Sequence, residues 1–288
     1  MIARLSATLM LLIAVPAAAQ DHSMHDMPAM PVTDAATGTD LPPGNAAPPP
    51  APTDHYASRQ FGRDAMTRAH NQMMAENGGQ SFAMILFNLA EIDARQGRDG
   101  WRWDGEGWFG GDIDRFVVKT EGEGAVGNKV ESAEVQALYA RAIGPYFNLQ
   151  AGVRQDIRPK NGRTHLALGF EGLAPWMFDI EGVLFLSSHG DLLGRVEGWY
   201  DQRITQRLIL QPRIELNLSA QDVPATRTGA GLSSAELGLR LRYEIAREFA
   251  PYVGLSYEAR TGKTADYVRT KGDDPTSTSL VMGVRFWF

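Results

Sequence analysis

Apolar and polar side chains alternate at every second position from about residue 81 to residue 288. In one stretch, Leu237, Leu239 and Leu241 alternate with charged neighbours such as Arg240 and Arg242. Successive side chains of a β-strand point to opposite faces, so this period predicts strands with one apolar and one charged face. The pattern predicts about twelve strands, at about 82–94, 100–110, 112–121, 130–142, 146–157, 163–172, 176–187, 192–203, 207–218, 234–245, 250–260 and 278–288.

The last predicted strand carries the longest apolar face. It is formed by Leu280, Met282, Val284, Phe286 and Phe288. On a soluble edge strand, such a face would promote aggregation. In a soluble sandwich, the charged face of every strand would be outside. In a membrane barrel, the apolar face meets lipid, the charged face lines the lumen, and the last strand pairs with the first.

The predicted connections alternate between tight turns and longer polar loops. The tight turns lie near 110–111, 143–145, 173–175, 204–206 and 246–250, and the longest loops near 219–233 and 261–277. This alternation is typical of outer-membrane barrels, and an even strand number puts both barrel ends on the short-turn, periplasmic side. Trp176, Tyr200 and Tyr252 are predicted to lie in the aromatic belts at the membrane interfaces.

The segment before the barrel has a different composition. Residues 1–19 read as a secretory signal peptide, with Arg4 before an apolar run and small residues at 17–19. Residues 20–54 form a predicted disordered, Pro-rich periplasmic tail, and 55–80 a short helical segment, before a barrel at 81–288. No apolar run approaches the roughly 20 residues of a spanning helix. The predicted fold is therefore all-β, an antiparallel transmembrane outer-membrane β-barrel with a disordered N-terminal tail and one short helix.

Charge and cysteine content narrow the chemistry. The formal net charge of −6 comes from interleaved acids and bases, which gives no indication of a nucleic-acid partner. The chain has no cysteine, so thiolate metal sites and cysteine nucleophiles are excluded.

The densest chemical signal lies in the tail. Five of the nine residues from 22 to 30 are His or Met: His22, Met24, His25, Met27 and Met30. Thioether sulfur selects copper(I), and imidazole binds copper in either oxidation state. Zinc sites usually need cysteine or several histidines, and calcium requires oxygen ligands. This segment is predicted to bind copper ions, Cu(I) and/or Cu(II); the alternative is a compositional accident in a low-complexity tail.

A second Met/His group lies in the predicted helix. Met66, His70 and Met74 are four residues apart and share one helical face. They are candidate copper ligands, and His55 could join either group. The alternative is a packing surface, because an apolar stripe that includes Phe61 runs beside them.

Paired charges occupy the predicted lumen face. They include Glu91, Asp93, Arg95, Arg102, Asp104, Glu106, Arg154, Asp156, Arg158, Arg195, Glu197 and Asp201. Carboxylate pairs can perform acid–base chemistry, but buried charges need partners, which favours structural ion pairs. We expect the members on the first two strands to form one network near the point where the tail enters the barrel.

Hydrolase activity is a less favoured possibility. His165 is predicted to face the lumen and His189 to lie in an external loop, and the chain has no G-x-S-x-G motif. No catalytic residue is predicted, and the protein is not expected to be an enzyme.

Several short motifs carry a family resemblance. They are the Met/His leader, residues 74–79 (MAENGG), 101–108 (WRWDGEGW), 111–115 (GDIDR), 120–123 (TEGE), 138–141 (LYAR), 150–154 (QAGVR) and the final FWF. With these motifs the chain resembles the copper-resistance protein B family of Gram-negative bacteria. The resemblance implies an outer-membrane copper-resistance protein that acts with a periplasmic multicopper oxidase. It implies no catalytic residues, and the leader is short for that family.

The expected function combines these observations. A periplasmic Met/His tail captures copper ions, and the protein sequesters or exports them at the outer membrane of a Gram-negative bacterium. Its expected partners are membrane lipid, copper ions and the multicopper oxidase. The alternative is a general outer-membrane porin, which would leave the tail unexplained.

Overall fold

The computed structural model describes residues 56–77, 79–95, 98–127, 129–158 and 162–288. The signal, the tail and His55 lie outside the described residues, together with the tail candidates His22, Met24, His25, Met27 and Met30. The described chain starts with helices α1 (Ala57–Phe61) and α2 (Arg63–Asn77). The predicted single helix is thus divided at Gly62, which adopts a φ of 75° that favours glycine.

Twelve strands follow within the described residues. They are β1 (Phe82–Arg95), β2 (Gly100–Gly110), β3 (Asp114–Ala125), β4 (Val130–Ala142), β5 (Phe147–Arg158), β6 (Thr164–Ala174), β7 (Phe178–Ser187), β8 (Leu192–Trp199, continued by Gln202–Arg203), β9 (Leu208–Ser219), β10 (Gly231–Tyr243), β11 (Phe249–Arg260) and β12 (Thr276–Trp287). Both parts of β8 pair with β9. The predicted strands are present, with ends that differ by a few residues.

The sheet closes on itself. Each strand pairs antiparallel with its neighbour in sequence, and β12 pairs antiparallel with β1. At this seam Ala94 lies opposite Leu280 and Leu86 opposite Trp287. Just beyond the end of β12, the backbone of Phe288 exchanges hydrogen bonds of 2.9 and 3.0 Å with that of Ile85 on β1. The predicted antiparallel β-barrel is confirmed.

The two faces of the sheet have opposite polarity. On β10, Leu237 and Leu239 are 52% and 44% exposed, whereas Arg240 and Arg242 are 1% and 3% exposed. The charged side chains therefore face the lumen and the apolar ones face outward, as expected for a barrel surrounded by lipid. Among the described residues, no helix is sufficiently long and apolar to cross a membrane.

Two tryptophans of the motif at 101–108 pack on the outer face of the barrel. Trp101 and Trp103 on β2 stack with ring centroids 5.3 Å apart. The Trp103 ring covers Gly122, where a Cβ atom would lie 2.0 Å from the ring, and Trp101 covers Gly124 in the same way. Only glycine at positions 122 and 124 leaves room for the two rings against β3.

The ends of the barrel differ in their connections. The turn end carries the tight turns 111–113, 143–146, 175–177, 204–207 and 244–248 together with the start of β1. The opposite, loop end carries the two longest connections, 220–230 and 261–275. The second of these contains a helix, α3 (Gly262–Thr270), where the sequence predicts only a polar loop.

The prediction is wrong for one of the aromatic residues assigned to the membrane interface. Trp176 lies in a tight turn and is 86% exposed, as an interface residue would be. Tyr252 instead faces the lumen, is 5% exposed, and donates a hydrogen bond of 3.0 Å to Glu91. The reason is its position in the alternation, because its neighbour Val253 occupies the outward face and is 54% exposed.

Candidate functional site

Ion pairs cross the lumen of the barrel. Arg102 on β2 donates to Glu215 on β9 at 3.1 Å and also to Glu236 on β10. Arg195 on β8 donates to Glu121 on β3 at 2.7 Å and to Glu134 on β4 at 3.1 Å. These partners lie on strands that are not neighbours in the sheet, so the side chains bridge the interior.

Further contacts join these pairs into one cluster. Arg213 donates to Glu197 at 2.7 Å and to Glu215 at 3.2 Å, and Arg154 contacts Glu134 at 2.7 Å. We call the set the central network; its members are Arg102, Glu121, Glu134, Arg154, Arg195, Glu197, Arg213, Glu215 and Glu236. Because each arginine contacts at least one carboxylate, the cost of burying these charges is largely compensated.

An apolar cluster supports the central network on one side of the lumen. Phe185 is 1% exposed and packs with buried residues of β3, β4, β6 and β7. The guanidinium groups of Arg154 and Arg195 lie over its ring, 4.6 and 5.8 Å from the centroid. These cation–π contacts help to hold both arginines in orientations that reach their carboxylates.

Two other charge clusters border the central network, and one of them contacts it through Arg240, which lies 3.9 Å from Glu236. The Lys119 ammonium contacts Glu181 at 2.8 Å, Glu171 at 2.9 Å and Glu106 at 3.7 Å. Arg240 donates two hydrogen bonds to Glu91, of 2.7 and 3.0 Å, in a bidentate pair.

The predicted single network on the first two strands is wrong. Glu91 pairs with Arg240, Arg102 with Glu215 and Glu236, and Glu106 with Lys119. Glu91 and Arg102 lie side by side on β1 and β2 but contact partners across the lumen, whereas Glu106 contacts Lys119, which lies directly opposite it on the neighbouring β3.

The predicted position of that network is wrong as well. β1 starts at the turn end with Phe82, and strands rise by roughly 3.3 Å per residue. Glu91 and Asp93 therefore lie well towards the loop end, far from the start of the strand.

The lumen contains cavities lined by hard donors. A cavity of about 330 Å³ is lined by carboxylates and arginines such as Asp93, Glu123 and Arg260. Carboxylate oxygen is a poor ligand for copper(I). Within the described part of the chain, no group of three or more His, Asp or Glu residues is arranged to hold a metal ion.

The helical candidates are brought to one side of α2. Met66, His70 and Met74 are separated by single turns, with Met66 half-buried and the other two exposed. Their spacing is that predicted from the sequence, and their role as copper ligands stays a prediction.

The barrel histidines occupy different places. His165 faces the lumen, is 1% exposed, and has its Nδ1 atom 3.9 Å from the carboxylate of Asp156. His189 lies in an exposed turn at the loop end, where its ring is 3.2 Å from the hydroxyl of the adjacent Ser188. Sequence reasoning placed Arg213 and Arg240 on the charged face without a partner and did not single out Lys119, whose alternation with outward-facing neighbours was the available signal.

Known proteins are similar in sequence to this chain over nearly its whole length. A family model described as "Copper resistance protein B precursor (CopB)" matches residues 81–288. The chain belongs to the copper-resistance protein B family. It is 38% identical over 276 residues to "Copper resistance protein B" of Escherichia coli, covering 94% of this chain and 90% of that protein. It is also 38% identical over 268 residues to "Copper resistance protein B homolog" of Pseudomonas syringae pv. tomato (strain ATCC BAA-871 / DC3000), covering 93% and 86% of the two chains.

Solved structures that are similar to this member of the family are barrels of low sequence identity. A NanC porin is 15% identical with a TM-score of 0.49, over 70% of this chain and 98% of that chain. A KdgM porin is 13% identical with a TM-score of 0.46, over 71% and 99%. The closed antiparallel sheet with its apolar outer face and the family match together make the protein an outer-membrane β-barrel of a family associated with copper resistance.

Proposed function

We propose that the protein binds copper ions with its N-terminal Met/His segment and sequesters them at the outer membrane. The observation that carries the proposal is the concentration of His and Met at 22–30 in a member of a copper-resistance family. Thioether and imidazole donors suit copper(I), and the described barrel interior offers mainly carboxylates that already contact arginine or lysine. The tail is therefore the better copper ligand.

The orientation proposed for the tail follows from the strand count. An even number of strands returns the chain to the side on which β1 starts, and this turn end is periplasmic in bacterial barrels of this kind. The tail would then meet copper in the periplasm, where a multicopper oxidase could receive or oxidise the metal. That partner is proposed from the family resemblance.

Sequestration is favoured over export by the ion pairs that cross the lumen. An ion moving outward would have to pass the central network, in which Arg102 and Arg195 reach carboxylates on distant strands. Export remains the second candidate, because the same network places acidic oxygens along the interior.

Replacing Met24, Met27 and Met30 with leucine should weaken copper(I) binding by at least tenfold. Leucine keeps the approximate volume but lacks the sulfur lone pairs that bind the metal. Binding is measured on the full protein in detergent by competition with a coloured copper(I) chelator. Deleting residues 20–54 should reduce binding further while the barrel still assembles.

The matched control replaces Met66 and Met74 with leucine on α2. Equal losses of copper(I) affinity in the triple tail variant and in the double helix variant would assign binding to the helix as much as to the tail. Unchanged affinity in the tail variant would remove the tail from the mechanism. Copper release from vesicles that contain the intact protein, but not from vesicles that contain the tail deletion, would favour export.

A further inference from the structure

The connection between β9 and β10 folds into a small hairpin over the loop end. Val223 donates a backbone hydrogen bond of 2.7 Å to Thr228, and Thr228 returns one of 3.1 Å. The hairpin turns at residues 224–227, where Arg227 has a φ of 58°. We call residues 220–230 the lid segment.

The inner side of the lid segment forms the roof of the lumen cavities. Val223, Thr226 and Thr228 line a cavity of about 170 Å³ together with His165, and Thr228 also lines the cavity of about 330 Å³. Val223 is 3% exposed, so an apolar side chain is inserted above a charged interior. Neither ring nitrogen of His165 has a hydrogen-bond partner among the described residues.

Two neighbouring connections anchor the lid segment. On one side, Lys263 of α3 contacts Asp222 at 2.6 Å, and the Gly229 N–H donates to the Thr264 hydroxyl at 2.8 Å. The Lys263 hydrogen bond lowers the pKa of the Asp222 carboxyl. On the other side, the Gln221 amide donates to the Gly190 carbonyl at 3.3 Å. The segment thus spans the mouth from one loop to another.

The fit against α3 is close. A Cβ atom on Gly229 would lie 2.6 Å from the Lys263 Cβ and 2.8 Å from the Thr264 nitrogen. Glycine is therefore the residue that allows the backbone of the lid segment to touch the helix. α3 has two buried residues, Thr264 and Ala265, which lie at this contact end of the helix.

From these contacts we propose that the lid segment and α3 form a closure of the loop end that opens without unfolding the barrel. The seal consists of Val223 and the glycine contact. The Asp222–Lys263 ion pair has side chains that are 38% and 53% exposed, so it is a weak anchor compared with the strand pairing. Closure of the mouth does not depend on copper binding by the tail, so either proposal can fail alone.

The test uses the absence of cysteine from the chain. Two probe variants each carry one cysteine below the lid segment, Ser279→Cys in the larger cavity and His165→Cys in the smaller. Intact cells are treated with a charged maleimide that does not cross membranes, and the labelling rate is measured. Replacing residues 222–229 with two glycines should raise both rates at least tenfold. The milder pair Asp222→Asn and Lys263→Met should raise them several-fold.

Asp266→Cys on the exposed side of α3 is the matched control and should be labelled at the same rate with or without the lid segment. Assembly of each variant is checked by its heat-modifiable mobility in gels. Probe cysteines that react as fast as Asp266→Cys under the intact lid segment would overturn the proposal. Probe rates that stay low after its removal would overturn it too, because the central network would then close the lumen by itself.

Discussion

Arg240 and Glu91 form the most deeply buried pair among the lumen contacts. Their side chains are 2% and 1% exposed, and Tyr252 donates a third hydrogen bond to the same carboxylate. A buried carboxylate that loses its arginine keeps an uncompensated charge, which costs far more than the net gain from forming the pair. The pair is therefore a sensitive position in the barrel.

Replacing Arg240 with methionine should lower the free energy of unfolding by about 3–5 kcal/mol. Adding Glu91→Leu should restore much of the loss, because the unpaired charge disappears. Both are measured by urea unfolding in detergent micelles. Arg269→Ala, which breaks an exposed pair with Asp266 on α3, should cost less than about 1 kcal/mol. Equal costs for Arg240→Met and the double variant would contradict this account.

At the residue scale, the sequence predicts the face of a charge better than its partner. Alternation places Glu91, Arg102 and Glu106 inside, and the structure agrees. The prediction that they join in one network was wrong, because the register and curvature of the closed sheet decide which side chains meet across the lumen. Arg102 and Glu215 are 113 positions apart, and no local pattern encodes that distance.

Each strand has to keep its apolar face outside the lumen. On β10 and just beyond it, two outward-facing apolar residues are expected to lie at different depths in the membrane. Leu237 is 52% exposed near the middle of this strand, whereas Ile245 is 58% exposed just beyond it, in a turn. The cost of a charge on the lipid face depends on depth, from about 2–4 kcal/mol at the midplane to about 0–1 kcal/mol near the interface.

We therefore expect Leu237→Arg to destabilise the barrel by about 2–4 kcal/mol and Ile245→Arg by about 0–1 kcal/mol. Folding into lipid vesicles, followed by urea titration, measures both. The same loss in both variants would argue against the assigned depth of β10 in the membrane.

At the element scale, long periodic strands were predictable and a short helix was not. The alternation on strands such as β10 extends over many residues, so their presence is clear in the sequence. α3 spans nine residues, too few to establish a helical period, and its ion pair and hydrogen bonds with the lid segment contribute to holding it in place. Tertiary contacts of this kind are not visible in the sequence of the helix.

The seam between β1 and β12 holds the whole ring together. Gly283 faces the lumen at this seam, where a Cβ atom would lie 2.5 Å from the Ala90 carbonyl oxygen and 2.6 Å from the Tyr252 hydroxyl. Gly194 on β8 has more space, since the nearest atom to its Cβ position is 3.5 Å away. Gly194 can therefore be replaced by alanine without a clash, whereas any side chain at Gly283 would displace its neighbours.

Replacing Gly283 with valine should reduce the fraction of heat-modifiable barrel, because the side chain would push the closing strands apart. Overpacking of this kind typically costs about 1–3 kcal/mol. Gly194→Ala serves as the control and should assemble normally. Normal assembly of Gly283→Val would contradict the close packing of β1 and β12 around Gly283.

At the scale of the whole molecule, closure could be predicted and its details could not. The apolar face at 280–288 indicated a final strand that needs a partner, and β1 supplies it. The irregular register between Phe87 and Glu91 at the seam depends on how the ends of the sheet meet, which only the closed barrel determines.

The cross-lumen ion pairs have a consequence for the order of events during assembly. Arg102 is 134 positions from Glu236, and Arg195 is 74 positions from Glu121. Contacts between such distant residues form only after most intervening strands have paired, because the loop between them must first be ordered. Until then the interior charges stay hydrated. The centre of the molecule is therefore its last part to form, although it includes residues from β2 and β3, among the first strands to be synthesised.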